Sequence, residues 1–326
     1  MTLLLSDADI RAVLGWRPAV DALRAAYETA GDGARYPGWS IARGDGTWLR
    51  VLPGVPGDGG LMGAKIIAAA PRAGRVSYLI ALFDQATTQL VALIDGNTVT
   101  GYRTAATSAL AADLLAVPGP LTVGVLGSGF EAGKHLRAIA AIRDVTSARV
   151  YSPRAASRER FAAEFATAGF PVAPAASAEE AVGGAALVIC AARSHDESPV
   201  LLGQWLSAGM TVVSVGSTVP EQREVDPETI ARAGVIVADV VGEVLHDTGD
   251  LIAARAAGTV ADGRVASLAD LVSGAFAGRE DKGQIALYKS VGSAVQDLAV
   301  AAMCVRAALD GGLGARAAVP VEVVLK

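Results

Sequence analysis

A doubly wound parallel α/β fold is predicted by three observations. First, the stretch Leu121–Ala132 (LTVGVLGSGFEA) passes from small and β-branched residues through a glycine turn into a helix start. Second, strand and helix patterns alternate beyond Pro118-Gly119-Pro120, as a parallel sheet with helices on both faces requires. Third, 326 residues at 52% hydrophobic and 19% charged describe a globular chain long enough for about two domains.

The elements follow in order. Ile10, Val13, Leu14, Val20, Leu23 and Tyr27 recur at helical spacing over residues 6–30, with Pro18 marking a break and Ser6 or Asp7 able to cap the start. Residues 31–62 are rich in Gly, Pro and Trp and read as short strands and turns. Strand-like runs follow at Gly63–Ala69, Val76–Asp84 and Leu90–Asp95, with Asp95-Gly96 as a turn signal. Arg103–Ala116 reads as a helix, and Pro118–Pro120 as a domain boundary. Beyond it come strand 121–126, helix 130–142, strand 147–152, helix 154–168 and strands at 186–191, 210–216 and 234–239. Ile285–Ser290 reads as a strand and Gly292–Leu309 as a long helix.

Several function classes are disfavoured. The net charge of −5 and the lack of a basic run argue against a nucleic-acid partner. The first residues, MTLLLSDADI, lack a basic n-region, so no signal peptide is expected, and the longest apolar run falls far short of the ~18 residues of a membrane span. Cys190 and Cys304 lie far apart in apolar surroundings, which suits a reduced, cytoplasmic protein. His135, His195 and His246 have no metal-ligand spacing, so no metal is expected.

The chemistry starts at Gly127-Ser128-Gly129-Phe130-Glu131-Ala132, the G-x-G-x-x-A form of the dinucleotide-binding fingerprint. Gly127 makes the turn, Gly129 admits the pyrophosphate to the backbone, and Ala132 lets the helix pack on its strand, while the helix's positive end favours phosphate. The alternative is an ordinary strand–helix turn. A nicotinamide or flavin cofactor, and a redox step, are therefore expected. About twenty residues on, where a carboxylate would bind the ribose of NAD, the chain has Val150-Tyr151-Ser152-Pro153-Arg154. Ser152 and Arg154 can hydrogen-bond a 2′-phosphate, so NADPH is expected, with NADH as the alternative and a solvated Arg154 as the plain reading. Arg103, read as a helix-start residue, would add a fork of donors to free helix N–H groups and suit a carboxylate; the alternative is a surface arginine. Lys65 lies inside the apolar run GAKIIAAA, where a lysine is costly unless paired and loses its proton readily. It is a candidate proton donor or carboxylate partner, or else a strand-face lysine reaching solvent. His195, Asp196 and Glu197 follow the strand at 186–191, where His195 reads as a solvated loop residue more readily than as a substrate contact.

Taken together, the chain resembles the ornithine cyclodeaminase/mu-crystallin family. The resemblance rests on Gly63-Ala64-Lys65, Asp95-Gly96-Asn97, Thr100, Arg103-Thr104-Ala105-Ala106, the glycine fingerprint, Val215-Gly216-Ser217, Glu224-Val225-Asp226, Gly249-Asp250 and Lys289-Ser290-Val291-Gly292. It implies a Rossmann dinucleotide-binding domain over 118–292. It also implies an α+β substrate and dimerisation domain from 1–117 with 293–326, and a homodimer. It assigns the substrate carboxylate to Arg103 and Lys65, and adds Thr104, Ser128, Phe130, Glu131, Val215, Gly216 and Ser217 to the cofactor site. Asp297 matches a family aspartate and is read as structural or supporting.

Two departures bear on the reaction. Family cyclodeaminases carry an aspartate at the position aligned with Thr218, and repeated proton transfer to nitrogen suits a carboxylate. Threonine cannot take that proton, whereas reduction of a preformed imine asks only for a hydride donor, an anion clamp and one proton source. Thr218 thus points to an imine or ketimine reductase, as in mu-crystallin-like members. A slipped alignment, with Glu221 or Glu224 serving, is the alternative. Second, family members often place an arginine shortly after a proline in the first sheet; here the region reads Tyr36-Pro37-Gly38-Trp39, with Arg50 or Arg72 as substitutes and Trp39 and Trp48 as pocket, core or interface residues. The expected substrate is a small imino or keto acid. The rival readings are an ammonia-releasing cyclodeaminase and a non-catalytic binder of NADPH and a carboxylate ligand.

Overall fold

The computed structural model describes residues 1–31, 33–192, 198–260, 263–318 and 321–324. Two compact units emerge, one from Met1–Thr107 with Ser293–Lys326, the other from Ser108–Gly292.

The first unit opens with β1 (Thr2–Leu5), α1 (Asp7–Val13) and α2 (Trp16–Glu28). Ser6 caps α1 in a capping box with Asp9, so the polar start Ser-Asp-Ala-Asp ends the strand and begins the helix. The helical pattern breaks at Leu14–Gly15, not at Pro18, which sits in the first turn of α2, where a proline's missing N–H costs nothing. β2 (Ser40–Gly44), β3 (Thr47–Gly54), β4 (Leu61–Ala70), β5 (Arg75–Asp84) and β6 (Leu90–Asp95) form an antiparallel meander. α3 (Gly96–Leu115) follows β6 directly, because the Asp95 carboxylate accepts the Asn97 N–H (2.9 Å) in place of a turn. The helix expected from Arg103 therefore begins seven residues earlier.

The second unit is a parallel sheet. Its strands are β7 (Leu121–Leu126), β8 (Val145–Tyr151), β9 (Val172–Pro174), β10 (Leu187–Cys190), β11 (Thr211–Ser214), β12 (Ala233–Ala238), β13 (Val265–Ser267) and β14 (Ile285–Lys289). Between them run α4 (Phe130–Ile142), α5 (Ala155–Glu164), α6 (Ala178–Val182), α7 (Pro227–Arg232), α8 (Val241–Asp247), α9 (Gly249–Ala256) and α10 (Leu268–Ser273). The order β13-β12-β14-β11-β10-β7-β8-β9 is that of a doubly wound Rossmann sheet, every pairing is parallel, and the winding reverses between β7 and β10. Continuous apolar strands such as Leu187–Cys190, buried on both faces, form its core.

The chain then returns to the first unit as α11 (Ala294–Asp310) and β15 (Ala315–Ala317), completing a sheet ordered β15-β1-β6-β5-β4-β3-β2. The unit boundary at Thr107/Ser108 lies inside α3, ten residues before the proline-glycine punctuation at Pro118. From Ser108 on, α3 is held by the second unit, with Ser108 bonded to His135 and the Leu115 carbonyl accepting from Thr211 and Arg279.

Candidate active site

In the first unit, Lys65 is fixed by sheet register. It stands on β4 opposite Leu52 of β3 and Ile80 of β5, on the face that α11 covers, and is 1% exposed. A lone ammonium there would be untenable. Its Nζ donates to Asp297 Oδ1 at 2.8 Å and lies 2.7 Å from Oδ2. Arg103 approaches the same carboxylate, with Nε 2.9 Å from Asp297 Oδ1, and its Nη1 donates to Gln296 Oε1 at 2.6 Å. Gln296 in turn donates to the Tyr27 hydroxyl at 3.0 Å. Asp297 lies in the first turn of α11, whose dipole favours an anion. Two cations thus share one buried carboxylate, leaving one net positive charge among the three groups. Burial pulls the Lys65 pKa down to about 8; the Asp297 charge opposes that shift and the Arg103 charge adds to it.

This corrects the expectation for Arg103. It lies two turns inside α3 rather than at a helix start, so free helix N–H groups do not assist it; Asp297 and Gln296 orient it instead. Lys65 does not reach solvent. Arg50 is half-buried on the same sheet face, its guanidinium 4.4 Å from the Trp39 ring centre and 5.6 Å from that of Trp48. Both tryptophans pack against Leu52, Ile67 and Ala294, and Arg72 is exposed. Thr104 donates its hydroxyl to the Thr100 carbonyl on its own helix.

In the second unit, β7 ends in Gly127, whose φ of +111° is a glycine conformation. A β-carbon there would lie 2.6 Å from the Ala191 carbonyl oxygen. Gly129 precedes α4, which has no side-chain cap, and a β-carbon at Gly129 would meet open space. The first turn of a thirteen-residue helix therefore presents free N–H groups beside a bare backbone, a fit for a pyrophosphate. Phe130 is exposed with Lys134 stacked over its ring at 4.0 Å, Glu131 stands in the first turn, and Ala132 is buried. Ser128 donates to Ser152 Oγ (2.9 Å), tying the glycine loop to the end of β8. Arg154 is exposed at the N-cap of α5, and Arg158 donates to the Ser152 carbonyl at 2.6 Å. No carboxylate occupies Ser152–Arg154.

Beyond β11, Gly216 N–H donates to Glu224 Oε2 (2.8 Å), Ser217 donates to the Gln222 carbonyl, and Val215 continues the ladder onto the Cys190 carbonyl. Thr218 is exposed in this loop. Glu224 is fully buried with both carboxylate oxygens bonded, so it cannot take the place of an aspartate at Thr218. His195, Asp196 and Glu197 lie outside the described residues. Sequence reasoning missed the role of Gln296, for which a glutamine in an alanine-rich helix gives no signal. It also missed the buried cluster around Glu224, where Lys289 within IALYKS was the available clue. Among the described residues no group of His, Cys, Asp and Glu could hold a metal ion, and no helix is long and apolar enough to cross a membrane.

A doubly wound parallel sheet with a glycine turn at the end of β7, in one chain with a unit that buries a carboxylate-centred cation pair, defines a dinucleotide-binding α/β class. The chain belongs to the ornithine cyclodeaminase/mu-crystallin family, whose profile matches residues 35–312. It is 32% identical over 222 residues to the ketimine reductase mu-crystallin of Mus musculus, a match covering 68% of this chain and 66% of that protein, just under two thirds of its length. It is 29% identical over 273 residues to a Delta(1)-pyrroline-2-carboxylate reductase of Bacillus cereus, covering 82% of this chain and 83% of the relative. The Thermococcus litoralis Delta(1)-pyrroline-2-carboxylate reductase, solved with NADH and L-proline, superposes with a TM-score of 0.89 at 28% identity over 97% of this chain and 100% of that one.

Proposed function

We propose that this chain is a nicotinamide-dependent reductase of imines that carry a carboxylate on the reacting carbon, yielding α-amino acids. The observation that carries the reading is the sharing of Asp297 by Lys65 and Arg103. Their surplus positive charge is a receptor for the carboxylate of a 2-imino acid or cyclic ketimine. Arg103, held by Asp297 and Gln296, orients that carboxylate. Lys65 keeps a third N–H beyond its two contacts with Asp297, and a pKa near 8 leaves it protonated at neutral pH while able to release the proton toward nitrogen. A bound dihydronicotinamide supplies the hydride for the C=N carbon. Gly127, Gly129 and the α4 N-terminus would hold its pyrophosphate, with Ser128, Phe130, Glu131, Ala132, Val215, Gly216 and Ser217 around the dinucleotide. Ser152 and Arg154, with no carboxylate between them, support a preference for NADPH over NADH.

The exposed Thr218 supports reduction over ammonia-releasing cyclisation, since it offers no base. A homodimer is supported by the outer sheet face of the first unit. There Leu49, Val51, Ile66, Leu79, Ala81 and Leu93 share one face, with Leu49 44% and Leu79 40% exposed. A second copy covering that face would make Leu79→Glu monomeric in sedimentation. A cytoplasmic setting fits two free cysteines buried in the cores. The deciding assay is NADPH oxidation, with NADH in parallel, on cyclic ketimine carboxylates and on pyruvate or glyoxylate with ammonia or methylamine. Turnover on one of them is expected. Silence across the panel, with ammonia released from ornithine, would overturn the reading.

A further inference from the structure

The second unit buries three ionisable side chains that the proposed chemistry leaves unused. Glu224, Asp250 and Lys289 are all 0% exposed. Lys289 Nζ sits 2.7 Å from Asp250 Oδ2 and donates to Ser214 Oγ at 3.0 Å. Ser214 donates onward to Glu224 Oε2 at 2.7 Å. Asp250 Oδ1 accepts the backbone N–H groups of Glu224 (2.6 Å) and Val225 (3.0 Å), so Glu224 is held at its main chain as well as its side chain. Burying two carboxylates and an ammonium adds little stability that an apolar core would not supply more cheaply, so the cluster's contribution is geometric.

The geometry is specific. Glu224 Oε1 accepts the Ala192 N–H at 2.8 Å, at the exit of β10. Its Oε2 accepts the Gly216 N–H at 2.8 Å, at the exit of β11. The Glu224 carbonyl accepts from Val200 (2.9 Å) and Leu201 (3.0 Å), where the connection out of β10 returns. A side chain at Gly216 would collide with the Glu224 carboxylate and the Ala192 carbonyl, so the three are in close contact. One carboxylate therefore sets the spacing of two neighbouring strand exits. In a doubly wound sheet ligands lie beyond the carboxyl ends of the strands at the switch point, here between β7 and β10. The β7–α4 turn suits the pyrophosphate and the β8 end the adenosine ribose. The other half of the dinucleotide then falls to the β10 and β11 exits.

We propose that Glu224 is a positioning residue that fixes the β10 and β11 exits as the seat of the nicotinamide half of the cofactor. The inference rests on the cofactor reading above. Glutamate is required because it offers two acceptor oxygens; glutamine offers one and turns an NH₂ donor toward the other backbone N–H. Aspartate, one methylene shorter, cannot span both exits.

The test uses the full chain with Glu224→Gln and the milder Ser214→Ala, which removes only the hydroxyl between Lys289 and Glu224. Affinity is measured for NADPH and NADH, each against its adenine half alone (2′,5′-ADP or 5′-AMP), and amide exchange at Ala192 and Gly216 is followed without cofactor. Expected for Glu224→Gln is roughly tenfold weaker binding of the whole dinucleotide, the energy of about one lost hydrogen bond. Adenine-half affinity stays within about twofold, and exchange at both amides accelerates. Ser214→Ala shifts each quantity in the same direction by less. Unchanged exchange and dinucleotide affinity in a folded Glu224→Gln protein would overturn the proposal, as would equal weakening of the dinucleotide and its adenine half. Should Glu224→Gln fail to fold, Ser214→Ala with unaltered exchange at Gly216 would overturn it. Wild-type protein that binds neither dinucleotide nor adenine half would overturn the cofactor reading itself.

Discussion

Replacing Asp297 by Asn leaves the shape of the first unit unchanged and removes the only charge in the Lys65–Arg103–Asp297 cluster that balances two cations. At an effective dielectric near 20, each contact at 2.7–2.9 Å represents about 6 kcal/mol of Coulomb attraction. The loss is smaller than the sum, because Lys65 has an escape. Its pKa already stands at about 8, so shedding its proton at pH 7 costs about 1.4 kcal/mol, and loss of the Asp297 charge lowers that pKa further. Arg103 has no such escape, since a guanidinium stays protonated at any ordinary pH. The variant strands one buried guanidinium, a defect of about 3–5 kcal/mol. At about 2–4 °C per kcal/mol this lowers the melting temperature by on the order of 10 °C, read by circular dichroism at pH 7. Between pH 7 and pH 9 the gap narrows by about 1.4 kcal/mol, because Lys65 then loses its proton in the wild type too. Removing the stranded cation in Arg103→Met with Asp297→Asn recovers most of the loss. A single variant melting within 2 °C of wild type, or a double variant no better than the single, would refute the shared-carboxylate account.

Three further outcomes are expected. Arg103→Lys keeps the charge but cannot hold Asp297 and Gln296 together, so kcat/KM for the imino acid falls at least a hundredfold; parity with wild type would remove Arg103 from the carboxylate site. Binding of furan-2-carboxylate, which does not titrate above pH 6, is strongest below pH 8. It weakens up to tenfold per pH unit as Lys65 deprotonates above that value, because the anion is bound by the charged form; a flat calorimetric profile from pH 7 to 9.5 would exclude Lys65 as a partner. Arg154→Ser lowers the NADPH-to-NADH ratio of specificity constants about tenfold through KM alone, and an unchanged ratio would leave Arg154 a solvated helix-start residue.

The fold was legible where side-chain pattern and local chemistry agree. Strand β7, the turn at Gly127 and helix α4 at Phe130–Ile142 follow directly from small residues, a positive-φ glycine and a helical stripe. Short elements such as β9, β13 and α8 to α10 were illegible, because three to eight residues hold too little periodicity and are stabilised by neighbours distant in sequence. Asp95-Gly96 misled for a physical reason: an aspartate that bonds the N–H two residues on serves a turn and a helix start equally well, which shifted the start of α3 and misplaced Arg103. For the site, an apolar run interrupted by Lys65 signalled a buried cation, since burial without a partner is prohibitive. The partner was not readable from Lys65 itself, because Asp297 and Gln296 lie on a helix that sequence distance alone does not connect to β4.

That separation governs the order in which the molecule can be made. Lys65 leaves the ribosome 232 positions before Asp297, and the whole parallel-sheet unit is synthesised in between. Until α11 emerges, β4 and α3 carry two cations with no counter-ion, and a closed core around them would be strongly unfavourable. The parallel-sheet unit, complete by Gly292, is free to fold first, while the first unit waits for its last helix. A chain truncated before Asp297 would leave Lys65 and Arg103 without the carboxylate they share. The carboxylate that Lys65 and Arg103 share is thus supplied only after the parallel-sheet unit has been synthesised.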